Sequence, residues 1–158
     1  MTDMPILYIP CGIPGSGKTT WCNQFIQGND VRYVSRDEIR FSLVKEDEPY
    51  FTREKIVFKK FIGTIAQTLV DGFDVIADAT NLNRFSRSKL TQAIDEYITD
   101  YKIIYVVFNT NIDVCIERNE KRTGRAKVPT DVIYNMFKNF VPPNKFEDKR
   151  VKEVIINE

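Results

Sequence analysis

The chain has no histidine. That absence excludes Ser–His–Asp hydrolysis, histidine metal sites and imidazole acid–base chemistry, so proton transfer falls to Asp, Glu, Lys, Tyr or Cys. Cysteine is scarce as well. Cys11, Cys22 and Cys115 are odd in number and lack C-x-x-C spacing, which points to a reducing, cytosolic protein without structural disulfides or zinc. No apolar run approaches the roughly 20 residues that span a bilayer. "MTDMPILYIPCG" carries no basic residue before its short apolar stretch, so it reads as a first strand and not a signal peptide. Excess charge is missing too. With 23 basic against 22 acidic residues and a net charge of +1, no global positive field marks a duplex-coating protein. Repeats, low-complexity tracts and Pro/Gly/Ser-rich linkers are also lacking.

What is present is an ordinary globular composition, 42% hydrophobic and 28% charged, over 158 residues. That length suits a single domain over residues 1–158. Short apolar runs alternate with helix-period stretches. Strands are predicted at Ile6–Cys11, Val31–Ser35, Asp74–Thr80, Lys102–Phe108 and Glu153–Asn157. Helices are predicted at Thr19–Gln27, Thr52–Gly72, Ser86–Tyr97, from about Ile112, and at Thr130–Phe140. In the long helix Phe58, Phe61, Ile62, Ile65 and Leu69 form the apolar face, and Gly72 suits the position after its C-cap. "KIIYVVF" is nearly continuous, as expected of a strand covered on both faces. Strands alternating with helices predict a doubly wound α/β fold with a five-stranded parallel sheet.

"GIPGSGKT" (Gly12–Thr19) matches G-x-x-x-x-G-K-[ST] and sits between a predicted strand and a predicted helix, the context this phosphate loop requires. Glycines at 12, 15 and 17 let backbone N–H groups face a phosphate, and the helix N-terminus adds positive potential. Lys18 is placed for the β- and γ-phosphates and the Thr19 hydroxyl for Mg²⁺. The nucleotide-binding set is Gly12, Gly15, Ser16, Gly17, Lys18, Thr19 and Thr20, with ATP and Mg²⁺ as the implied cofactors. A chance match is expected on the order of once in two hundred chains of this length.

The motif names a phosphoryl donor and leaves the acceptor open. "YVSRDEIRF" (Tyr33–Phe41) addresses it. Asp37 and Arg40, three apart, share a helix face just past the second strand, and strand C-termini in such sheets gather at one ligand-binding edge. Asp37 is a charge favouring a helix N-terminus, or the carboxylate that takes the acceptor hydroxyl's proton. Opposite a phosphate loop the second reading prevails, with Arg40 gripping an anionic part of the acceptor. "CIERNEKRTGRAK" (Cys115–Lys127) is either a solvated charged helix end or a lid, taken as about residues 118–129. In the lid reading Arg118 and Arg122, spaced i, i+4, point together at phosphate, and Gly124 gives flexibility. Asp78, after the third strand, holds a Mg²⁺-bound water, braces Arg40 or caps the next helix. Asn81 and Asn83 read as turn and cap residues.

These stretches together with "DATNLN" (Asp78–Asn83) and "ERNEKRTGRAKVPTDVI" (Glu117–Ile133) resemble the 5′-kinase domain of polynucleotide kinases of the T-even phage type. The resemblance implies an adenylate-kinase-like P-loop fold with a helical lid. It also implies ATP-dependent phosphorylation of 5′-hydroxyl ends, with single-stranded DNA or RNA as partner. By that likeness Asp37 is the general base, Arg40 contacts the acceptor phosphate, and Arg118 and Arg122 clamp the donor. The chain departs from the phage pattern at Ala79, where that pattern places its acid. It shows neither the D-x-D-G-[TV] run of a 3′-phosphatase nor the K-x-D-G of a ligase. Phe41, Tyr50 and Phe51 are expected either to stack on acceptor bases or to pack in the core. RNA or DNA preference and oligomeric state stay open.

Overall fold

The computed structural model describes residues 3–157. Five strands, β1 (Ile6–Cys11), β2 (Val31–Ser35), β3 (Asp74–Asp78), β4 (Lys102–Phe108) and β5 (Val151–Asn157), form one sheet in the order β2-β3-β1-β4-β5. Every pairing is parallel. The fold is the expected doubly wound α/β architecture with a five-stranded parallel sheet. Six helices connect and flank the strands: α1 (Lys18–Gly28), α2 (Arg36–Leu43), α3 (Glu54–Val70), α4 (Arg84–Asp95), α5 (Ile112–Glu120) and α6 (Thr130–Asn139). None of the described helices is long and apolar enough to cross a membrane.

Core positions follow the sequence pattern. β4 is buried at every residue after Lys102, since strands lie on both sides of it and helices cover the sheet. Along α3, Phe61, Ile62, Ile65 and Leu69 are buried and join Leu7, Ile9, Val75 and Ile103 in the main core, with Phe58 partly buried at its margin. α3 ends in a Schellman motif: the Gly72 N–H donates to the Leu69 carbonyl, the Phe73 N–H to that of Thr68, and Gly72 adopts φ 88°. Boundaries shift elsewhere. α4 starts at Arg84, two residues before its prediction, because Asn83 and Ser86 form a reciprocal capping box. β5 begins at Val151, whose N-terminal lead is fixed when the Ile103 N–H donates to the Arg150 carbonyl.

One buried ion pair supports the sheet edge where the loops gather. Arg87, 1% exposed, donates from Nε and Nη2 to the Glu147 carboxylate at 2.9 and 2.8 Å, and from Nη1 to the Asn81 carbonyl. Asn81, at φ 46°, is the expected turn residue. Its side-chain amide donates to the carbonyls of Pro10, Ala77 and Ala79, tying the ends of β1 and β3 together.

Candidate active site

The phosphate loop leaves β1 and enters α1 through two left-handed glycines, Gly15 (φ 82°) and Gly17 (φ 104°). Gly12 is needed for a different reason. A Cβ there would lie 2.5 Å from Ser16 Oγ and 3.0 Å from Phe108 Cβ, so the loop packs too closely for a side chain. At Gly15 a Cβ would meet the Cys115 carbonyl oxygen at 2.5 Å, which shows how tightly α5 closes on the loop. Gly17 is the N-cap of α1 and offers no side-chain cap, leaving first-turn N–H groups free for an anion. Ser16 Oγ is buried without a hydrogen-bond partner among the described residues. The Lys18 ammonium makes no ion pair or hydrogen bond among the described residues. An orphaned hydroxyl, an unpaired ammonium and open amides around one loop fit a polyphosphate. Thr19 and Thr20 are exposed at the start of the helix.

The second element of the site is a polar network on α2. The α2 N-cap is Ser35, whose hydroxyl accepts from the Glu38 N–H, and Asp37 and Glu38 occupy the first turn as the helix dipole favours. Asp37 is 62% exposed and Arg40 only 7%, although they share a helix face. Arg40 donates from Nε and Nη2 to the Glu54 carboxylate at 2.6 and 3.1 Å, and from Nη1 to Asp37 and to Tyr50 Oη. Four of its five N–H groups thus have protein partners. The parallel pair of hydrogen bonds foreseen toward an acceptor is made to Glu54. Arg36 donates to the same carboxylate at 2.9 Å.

Both donors to Asp37 choose one oxygen. Arg40 Nη1 and Tyr50 Oη (2.7 Å) bond to Oδ1, so Oδ2 is without a protein donor among the described residues. Burial first, then the Asp37 carboxylate beside it, pushes the Tyr50 phenol up to about 12. Burial opposes ionisation of Glu54, yet hydrogen bonds and charge from Arg40 and Arg36 hold it below its ordinary value. Tyr50 therefore stays a neutral donor and Glu54 an anion at neutral pH.

Asp78 ends β3 in register with Ser35, beside the phosphate loop. Its partner is Tyr33 Oη, which donates to Oδ2; Glu54, not Asp78, braces Arg40. Burial and that carboxylate raise the Tyr33 phenol. Asn83 caps α4, as its position suggests.

The lid differs from expectation. α5 stops at Glu120, so Arg118 is helical and Arg122 lies just beyond the helix end, followed by a single 3₁₀ turn at Gly124–Ala126. The reason is Asn119. It is fully buried, and its side chain donates to the Val128 carbonyl (2.6 Å) while accepting the Val128 N–H (2.9 Å). This two-way clasp closes residues 121–127 into a loop. Arg118 Nη1 donates to the Gly15 carbonyl at 3.1 Å and so rests on the phosphate loop. Arg122 has no side-chain partner among the described residues.

Phe41, Tyr50 and Phe51 pack edge to face, with the Arg40 guanidinium 4.6 Å from the Tyr50 ring centre and Phe51 59% exposed. Sequence reasoning missed Glu54 and the hydrogen bond from Tyr50 to Asp37, because both lie across a loop at no helical spacing. Asn119 gave no motif signal. Arg125, counted only as a basic residue, proves to touch α2.

A profile of the AAA domain family matches residues 7–143. The chain is 23% identical, over 89% of its length, to a protein named as a bifunctional polynucleotide kinase/RNA ligase of Autographa californica nuclear polyhedrosis virus, 22% of which is covered. A chain of the Pnkp1/Rnl/Hen1 RNA repair complex superposes with a TM-score of 0.72 at 25% identity, covering 88% of this chain and 45% of that one. A fungal RNA kinase shares the fold, with a TM-score of 0.71 at 18% identity over 99% of this chain and 75% of the other. The chain thus spans about a fifth of the viral relative and under half of the repair-complex chain.

Proposed function

The chain belongs to the AAA domain family, and on that premise we propose that it is a polynucleotide kinase that transfers the γ-phosphate of ATP to the 5′-hydroxyl end of single-stranded DNA or RNA. The observation that carries the reading is Asp37: an exposed carboxylate whose Oδ1 is held by Arg40 and Tyr50 and whose Oδ2 is open, at the sheet edge of the phosphate loop. Likeness to a polynucleotide kinase/RNA ligase and to a chain of an RNA repair complex supports the choice of acceptor.

ATP phosphates lie along Gly12–Thr19, including Gly15, Ser16 and Gly17, with Thr20 following and Lys18 on the transferring end. The Thr19 hydroxyl, with Asp78 through a water, would hold Mg²⁺, which would supply positive charge against the phosphates. The acceptor's hydroxyl oxygen attacks the γ-phosphorus, the bond to the bridging oxygen breaks, and ADP leaves. Asp37 Oδ2 orients the hydroxyl and receives its proton. Lys18, Arg118 and Arg122 stabilise charge developing on the leaving oxygens. Arg40, while holding Asp37, offers the acceptor's phosphate the one Nη2–H that has no partner among the described residues.

The test uses γ-labelled ATP, Mg²⁺ and short 5′-hydroxyl DNA and RNA strands. Wild-type protein labels the 5′ end, and Asp37→Asn lowers that rate by at least about 100-fold, the usual contribution of a positioned base. Labelling of a small alcohol or sugar but of neither strand would overturn the acceptor assignment.

A further inference from the structure

The loop clasped by Asn119 carries a residue that reaches the other half of the site. Arg125 Nη1 donates to the Val44 carbonyl at 2.6 Å and Nη2 to the Phe41 carbonyl at 3.3 Å. Its guanidinium lies 4.8 Å from the Phe41 ring centre. The two carbonyls belong to the C-terminal end of α2, where the negative end of the helix dipole and unpaired acceptors favour a cation. α2 is the helix that presents Asp37 and Arg40. At the other end of the same segment Arg118 touches the phosphate loop. Residues 118–125 thus bridge the donor half and the acceptor half, and the clasp sets residues 121–127 apart as a loop, with Gly124 at φ 62° beside Arg125.

We propose that Arg125 is a positioning residue that latches the lid to the acceptor helix, so that Arg122 joins Arg118 over the donor in step with the orientation of Asp37 on the acceptor. This rests on the kinase reading above. A solvated surface arginine would satisfy itself in water. Arg125 instead uses both Nη groups and its planar face on one neighbouring helix, which a lysine could not reproduce. With the latch in place, each ligand tightens the binding of the other by the same factor, since binding coupling is reciprocal.

The experiment compares wild type, Arg125→Met and Arg125→Lys. Hydrogen exchange is read on the free proteins at residues 41–44 and 121–127. The affinity for a β,γ-imido analogue of ATP is then measured with and without a 5′-hydroxyl oligonucleotide. In wild type the strand tightens analogue binding about tenfold, within the usual range of coupling. In Arg125→Met the factor falls to about one, affinity for the analogue alone stays within about twofold, and the transfer rate drops about tenfold. Exchange rises at both segments, and Arg125→Lys falls between. Unchanged exchange in Arg125→Met overturns the latch. Raised exchange with unchanged coupling and turnover overturns its positioning role. Failure of wild type to label any strand counts against the acceptor assignment, while the exchange measurement still decides the latch.

Discussion

Replacing Glu54 with glutamine removes one charge from beneath the candidate base and leaves the shape intact. Arg40 is almost wholly buried, so its counter-ion matters. Breaking a fully buried pair costs about 3–5 kcal/mol, because the remaining charge is uncompensated. Two features reduce that here: Glu54 is 28% exposed, and Arg40 keeps Asp37 and Tyr50. Glutamine also retains one acceptor for Nε. About half the full value remains, roughly 2 kcal/mol, which lowers Tm by about 4–8 °C for a chain of this size. Thermal unfolding followed by circular dichroism at pH 7 measures it. The pH dependence gives a second check. The folded-state pKa of Glu54 is depressed below 4.5, so its stabilisation is present above about pH 4.5 and is lost as pH falls through the folded value. The gap between wild type and Glu54→Gln should therefore narrow below pH 4. A Tm change under about 1 °C at pH 7, or a gap that persists in acid, would refute the argument that this carboxylate carries the Arg40 charge.

Three further outcomes follow from the same geometry. Tyr50→Phe deletes one hydrogen bond to the Asp37 carboxylate, and since that group is exposed the loss sits at the low end for charged partners; steady-state kinetics should show kcat down about tenfold with KM for ATP unchanged. Gly15→Ala puts a methyl group 2.5 Å from the Cys115 carbonyl at a φ of 82°, and fluorescent-nucleotide titration should show binding lost while the circular dichroism spectrum is kept. Cys11 and Cys22 are buried, and burial pushes both thiols up to about 12; the native protein should leave them unmodified by a thiol reagent at pH 8, with modification appearing only on unfolding.

The phosphate loop and the order of elements were legible because both rest on local rules. Glycine spacing fixes a loop, and alternating strands and helices bring loop ends to one edge. Asp37 was singled out as a candidate by that topology, since it follows β2 as the loop follows β1. What stayed hidden is the network around it. Glu54 and Tyr50 meet Arg40 only after the segment between α2 and α3 folds back, and no periodicity encodes that return. Arg125 binds backbone carbonyls, which every residue possesses, so its partners left no trace in the sequence. The short α5 was illegible for a similar reason. Nothing in a charged run announces that Asn119 will take up a backbone N–H and carbonyl nine residues away.

The strand order also sets when the nucleotide site can exist. Among the described residues β1 is the first strand, yet there it pairs with β3 and β4 and not with β2, Leu7 lying opposite Val75 and Ile103. The phosphate loop hangs from its end, held by the Thr80 carbonyl and closed over by the Cys115 segment. During synthesis the loop must wait until the chain has passed α5, with its glycines already made and no scaffold to shape them. Such long-range pairing is slow to form. Nucleotide then binds only molecules that have completed the central three strands, so its presence draws the late steps of folding forward by mass action.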